Sequence, residues 1–97
     1  MLGFMYERIL QRFCDRIRRR EYVVTVHGEE EMDEDGISVS DLESAVLTGE
    51  ILERQRDRVS REWKYVVEGT GLDGTGVGVI GKLSVTGRLV IITVYRV

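Results

Sequence analysis

The chain has 97 residues and no proline, with 42% hydrophobic and 32% charged residues. That composition fits one folded domain and excludes disordered and collagen-like chains. One cysteine and one histidine exclude an internal disulfide and leave too few soft ligands for a structural zinc site. The net charge of −3 and pI near 5.2 argue against a general nucleic-acid binder. The charge is unevenly divided, however. Residues 28–53 carry ten acids and no base, whereas the remainder carries fourteen bases and seven acids. A basic face on a polar molecule is compatible with this division.

In chain order, Met1-Leu2-Gly3-Phe4-Met5-Tyr6 has neither a basic leader nor a small-residue cleavage site. No export signal is expected, and a cytoplasmic location follows as the expectation. Residues 4–20 read as a helix, because Met5, Ile9, Phe13 and Ile17 recur at i, i+4 with Tyr6, Leu10 and Cys14 beside them. Arg8, Arg12, Arg16 and Arg19 fall mostly off that stripe, and Cys14 on it reads as a core filler. Packed on a sheet the stripe suits a monomer; left exposed it would pair two copies as a homodimer. Tyr22 to Val26 is β-branched and aromatic, a first strand.

His27 opens a second, short helix that Gly36 ends, and its imidazole either caps backbone groups or reaches a cleft. Glu29, Glu30 and Glu31 are expected in the first turn, where the helix dipole favours negative charge. These acids and Asp33, Glu34 and Asp35 point around the helix rather than converging, so no metal is expected. Ser38 is the next N-cap, with Ile37 and Leu42 at the staple positions, and this helix runs to Thr48 with Gly49 as its stop. Strands follow at Glu50–Arg54, Trp63–Glu68, Val77–Val85 and Arg88–Tyr95, the last two joined by a Thr86-Gly87 turn. Leu89 to Ile92, the longest apolar run, is too short to cross a bilayer and suggests a central strand covered on both sides. The expected fold is α+β in the order α-β-α-α-β-β-β-β, a single domain with N-terminal helices packed on a small, mainly antiparallel twisted sheet. Ile9, Phe13, Ile17, Val24, Val26, Met32, Leu42, Val46, Ile91 and Tyr95 are its expected core.

Gly69-Thr-Gly71-Leu-Asp-Gly74 and Gly76-Val-Gly78-Val-Ile-Gly81 both match G-x-G-x-x-G. A phosphate loop needs a helix immediately afterwards, and Leu83-Ser84-Val85 is strand, so no nucleotide cofactor is expected. The glycines fit a hairpin loop at 74 and 76, and bulges or close backbone approach at 78 and 81. Trp63 and Tyr65 alternate on one strand face, read as core, with Lys64 on the other. Arg54, Arg56 and Arg58 form a row on one side of an extended segment. Their partner is either the chain's own acidic helix or an external phosphate backbone, in the latter case beside Lys64, Lys82 and His27.

The stretch Tyr22 to Ser38 carries His27-Gly28, Met32 five residues after the histidine, and a Gly36-Ile37-Ser38 helix start. With Leu47-Thr48-Gly49-Glu50-Ile51 and Ile91-Ile92-Thr93-Val94-Tyr95, this pattern resembles the domain of unknown function 4258 family over residues 20–97. The resemblance implies a fold similar to RelE, BrnT and MqsR toxins, with helices on a small antiparallel sheet. It also implies an antitoxin partner, often with a YgiT-type zinc finger, and metal-independent cleavage of messenger RNA by attack of a ribose 2′-hydroxyl on the adjacent phosphate. Such chemistry needs a base, an acid and cations over the phosphorane. On this reading His27 or Tyr95 serves as base or acid, with Lys64 and Lys82 in the catalytic site and Arg54, Arg56, Arg58 and Arg96 for phosphate. The sequence departs from the family at Glu31 and Asp33, where arginine is common near Met32, and at Gly78, where histidine is common. The alternative expectation is a non-catalytic protein-binding or regulatory domain that keeps the toxin-like fold.

Overall fold

A computed structural model describes residues 6–97. Its elements, in chain order, are α1 (Glu7–Arg18), β1 (Tyr22–Val24), α2 (Val26–Asp35), α3 (Val39–Thr48), β2 (Glu50–Arg56), β3 (Trp63–Thr70), β4 (Gly76–Leu83) and β5 (Leu89–Arg96). The five strands form one sheet in the order β1-β5-β4-β3-β2. β1 runs parallel to β5, and every other pair is antiparallel. The expected fold class and element order therefore hold. Met5 and the first residues of the predicted opening helix lie outside the described residues.

Local chemistry sets the helix ends. The Thr25 hydroxyl accepts from the Gly28 amide, so α2 starts at Val26 and β1 stops at Val24. This turns Val26 away from the strand's alternation and leaves it 72% exposed, which removes it from the expected core. The cap is thus threonine, and His27 is not required for it. Starting at Val26, the first turn of α2 includes Glu29 but not Glu30 or Glu31. Gly36 ends the helix at φ +64°, a conformation that costs glycine little. Ser38 and Asp41 close a capping box on α3, and the flanking Ile37 and Leu42 are both buried.

One core lies between the helices and a single face of the sheet. Phe13, Cys14 and Ile17 of α1, Met32 of α2 and Leu42, Ala45 and Val46 of α3 cluster with Ile51, Val67, Val77, Val79, Leu89, Ile91 and Val94. Ile9 and Val24 pack at its margin, partly buried. Within the described residues, the apolar stripe of α1 packs in this core or against its margin. Val90 and Ile92 are only half-buried, because the helices' buried side chains all meet the opposite face. Among the described residues, the two-sided covering expected for Leu89 to Ile92 is therefore not found. Val66 is 7% exposed yet lies outside the main cluster, on the second face.

Two register shifts decide which way later side chains point. Between Ile80 and Gly81 the β4–β5 register slips, so Gly81 faces Ile91 while Ile80 faces Thr93. Ile91 and Tyr95 are four apart and would share a face in a regular strand. With the bulge, Val94 takes the core position and Tyr95 turns to the second face, partly buried. A second shift falls between Ile51 and Glu53 of β2, and it places Arg54 opposite Tyr65 and Arg56 opposite Trp63.

Candidate functional site

The β2 bulge builds the most distinctive surface of the molecule. It brings Arg54 and Arg56 to the same face as Ile51, where their cross-strand neighbours are Tyr65 and Trp63. Both guanidinium groups lie over the indole, with Cζ 4.0 Å (Arg54) and 4.8 Å (Arg56) from the ring centroid. Arg56 Nε also donates to the Arg61 carbonyl at 3.0 Å. An aromatic face attracts these cations without neutralising them. Among the described residues Arg54, Arg56, Arg58 and Arg61 make no ion pair.

Arg58 does not continue the row as a strand residue, because β2 ends at Arg56. It sits in the tight β2–β3 turn, where Asp57 accepts from the Val59 and Ser60 amides at 2.9 Å each. Those backbone bonds, that of Ser60 first, hold the Asp57 carboxyl below its usual range. Arg56, Asp57, Arg58 and Arg61 surround a shallow depression of about 290 Å³. Beside it, a second groove of about 270 Å³ runs between α1 and β3, lined by Ile9, Arg12, Glu62, Trp63, Tyr65 and Leu83. Its floor is stiffened by Tyr65, whose ring meets Tyr6 and Phe13 edge-on at centroid distances of 6.0 and 5.9 Å. The surface is an indole with two guanidinium groups stacked on it and further arginines around it.

The other predicted site residues lie elsewhere. The acidic helix α2 flanks β5, at the opposite edge of the sheet from β2, so it is not the internal partner of the arginine row. His27 stands exposed on α2, with Nε2 3.4 Å from Glu31 Oε1. Lys64 points to the second face, away from the arginines, and Lys82 Nζ pairs with Glu62 at 3.2 Å. Tyr95 also occupies the second face. Its ring occupies the space a side chain at 78 would fill, and its hydroxyl donates to Glu68 Oε2 at 2.8 Å. Burial first, then this bond and the charges of Glu68 and Glu53, push the Tyr95 phenol up to about 12. Glu68 faces Gly78 and Tyr95 in the register, and Lys64 lies four residues along the same strand from it. Four residues span about 13 Å of strand, the separation of the Lys64 and Glu68 backbones. Arg96 ties down the end of α2, donating from Nη2 to the carbonyls of Asp35 (3.1 Å) and Gly36 (3.4 Å) and from Nη1 to Thr75 Oγ1 (2.9 Å).

Three contributors were not legible as site residues in the sequence. Trp63 reads as core, but it is 37% exposed and carries the arginines. The usable signal was a short hairpin with arginine at one strand end and tryptophan at the other. Arg12 and Arg61 join through packing alone. The Cys14 thiol is buried, donates toward the Val46 carbonyl at 3.6 Å and is raised in pKa by that burial, which makes it a poor nucleophile. The glycine motif at 76–81 lies within strand β4 and opens no helix, so it forms no phosphate loop. Among the described residues no three His, Cys, Asp or Glu side chains group to hold a metal, and no helix is long and apolar enough to cross a membrane.

No curated protein and no solved structure matches the chain. The family described as Domain of unknown function (DUF4258) matches residues 24–96, from the end of β1 to the end of β5, and the chain belongs to that family.

Proposed function

We propose that the protein binds single-stranded RNA on the face built by Arg54, Arg56, Trp63 and the β2–β3 turn. The carrying observation is the pair of guanidinium groups held over a part-exposed indole with no carboxylate partner among the described residues. Arginines supply phosphate contacts, and the guanidinium planes held on the indole offer flat faces for bases; base stacking on such a platform is worth about 1–3 kcal/mol per base. The reading is binding rather than cleavage. His27 and Tyr95, the candidate base and acid, do not share this face, and Lys82 is engaged by Glu62. It keeps the RNA target of the toxin-like resemblance while dropping the chemistry.

Trp63 is the chain's one tryptophan, so its emission reports on the site directly. Titration with a fluorescently labelled oligouridylate at several salt concentrations should quench that emission and raise anisotropy together. Arg54→Ala with Arg56→Ala should weaken binding about tenfold or more and lower the salt slope by about 1–2. Absence of binding at about 50 mM salt, where phosphate contacts are strong, overturns the proposal. So does binding that leaves Trp63 emission unchanged. Cleavage of the same RNA in EDTA would establish the endoribonuclease reading instead.

A further inference from the structure

The opposite edge of the molecule carries a second surface of the opposite character. Between α2 and the start of α3 lies a cleft of about 380 Å³. Val24, Met32, Ile37 and Val39 give it apolar walls, and Glu29 and Asp33 stand at its rim. Met32 and Ile37 are buried, whereas Val39 is 54% exposed at the mouth. An exposed valine at the lip of an apolar cleft leaves apolar surface in water that a partner side chain would cover.

The charge around the cleft states what that partner carries. α2 has six acids and no lysine or arginine, and among the described residues none of the six pairs with a lysine or arginine; Glu31 lies 3.4 Å from the His27 imidazole. Asp33, Glu34 and Asp35 fall in the last turn, at the negative end of the helix dipole, with no basic residue in that turn. Carboxylates there are unfavourable for the isolated helix. Arg96 relieves the terminal carbonyls of Asp35 and Gly36 but forms no ion pair with the carboxylates. Cations brought from outside would remove this self-repulsion, and apolar side chains between them would fill the cleft.

We propose that this cleft docks a basic amphipathic segment of a partner protein. Its apolar side chains enter between Met32, Ile37 and Val39, and its lysines or arginines meet Glu29 and Asp33. The proposal is independent of RNA binding, which uses the other edge of the sheet. A second copy of the chain is a poorer occupant, because the apolar stripe of its one basic helix is already spent on its own core.

The probe is a synthetic helical peptide with one leucine stripe flanked by lysines, measured by calorimetry against the full chain. Two controls share its length: a sequence-scrambled peptide of identical composition, and one with glutamate for each lysine. Expected is saturable one-to-one binding of the first peptide and none of the glutamate peptide. Glu29→Lys with Asp33→Lys should weaken binding about tenfold or more through like-charge repulsion. Val39→Asp separates docking from mere attraction, since it adds negative charge while removing apolar surface. It should weaken binding about tenfold, the loss expected for one valine contact. Both variants change exposed or rim positions, and circular dichroism confirms that they remain folded. Stronger binding by Val39→Asp, or equal binding of the scrambled peptide, would reduce the surface to a diffuse acidic patch and overturn the proposal. Concentration-dependent self-association that the Val39→Asp variant abolishes would overturn it in favour of a second copy.

Discussion

At the scale of single residues, the second face of the sheet turns on Gly78 and Tyr95. The phenol ring covers the backbone of Gly78 and reaches Glu68, so position 78 has no room for a side chain. Gly78→Ala should destabilise the protein by about 1–3 kcal/mol, as overpacking does elsewhere, read as a lower urea midpoint. Tyr22 shows the same chemistry on the other face, donating to Glu43 Oε2 at 2.6 Å, and burial with this bond raises its phenol to about 12. A raised phenol pKa favours the neutral form in the folded state. The stability linked to Tyr22 and Tyr95 is therefore complete below pH 10 and lost as pH rises from about 10 to 12. Absorbance titration near 295 nm should show two phenols ionising around pH 12, and Tyr95→Phe should leave one. Two late phenols in the Tyr95→Phe variant would contradict the assignment. The glycine at position 78 is legible in the sequence as one of a closely spaced set. What the sequence hid is that a tyrosine from another strand fills the space.

At the scale of elements, the Gly36 stop and the Ser38 cap were legible, whereas the Thr25 cap and the sheet edges were not. Gly36 and Ser38 act on their immediate neighbours, so their chemistry is written locally; Thr25 lies inside a β-branched run that reads as strand through Val26. Ser38→Ala should cost about 1 kcal/mol, the usual loss of an N-cap, measured by thermal melting. The edge of β5 is a different matter. β1 has three residues and covers only Leu89 to Ile91, after which α2 closes the edge with side chains. The Thr25 hydroxyl donates to the Ile92 carbonyl at 3.1 Å, and Glu31 Oε1 accepts from the Val94 amide at 3.0 Å. Glu31 thus completes a strand from a helix, a role that depends on a partner 63 residues away. Glu31→Ala should cost about 1–3 kcal/mol, because it leaves that amide without its acceptor. Glu31→Gln keeps an acceptor oxygen and should recover most of the loss, with Val94 amide exchange accelerated in the alanine variant alone. Equal exchange in the two variants would mean that the contact does not protect the edge.

For the whole molecule, the uneven charge of the sequence becomes two opposed edges. The acids of α2 lie along β5, and the arginines of β2 and the following turn lie at the far side of the sheet. That separation follows from strand order, which alternation and capping do not reveal. The spread of the predicted site residues over two edges and two faces has the same origin. His27 and the arginine row are placed by non-adjacent strands, and two single-residue bulges turn Arg54, Arg56 and Tyr95 to faces that a regular strand would not give them. The opposed edges lead to one further expectation, which rests on the two proposed binding surfaces. The molecule measures 31 × 29 × 24 Å, several times the screening length of about 8 Å at 0.15 M salt. RNA on the arginine face and the basic peptide in the acidic cleft should therefore bind together, each changing the other's affinity by less than about twofold. At about 0.01 M salt the screening length grows to about 30 Å and spans the molecule. A bound cationic peptide then makes the whole particle more positive, so RNA affinity should rise when the cleft is filled. Anisotropy titrations of RNA with and without saturating peptide, at both salt concentrations, measure this coupling. Competition at 0.15 M would mean that the two surfaces overlap. Coupling that persists unchanged between the two salts would mean that it travels through a change in the fold rather than through the field.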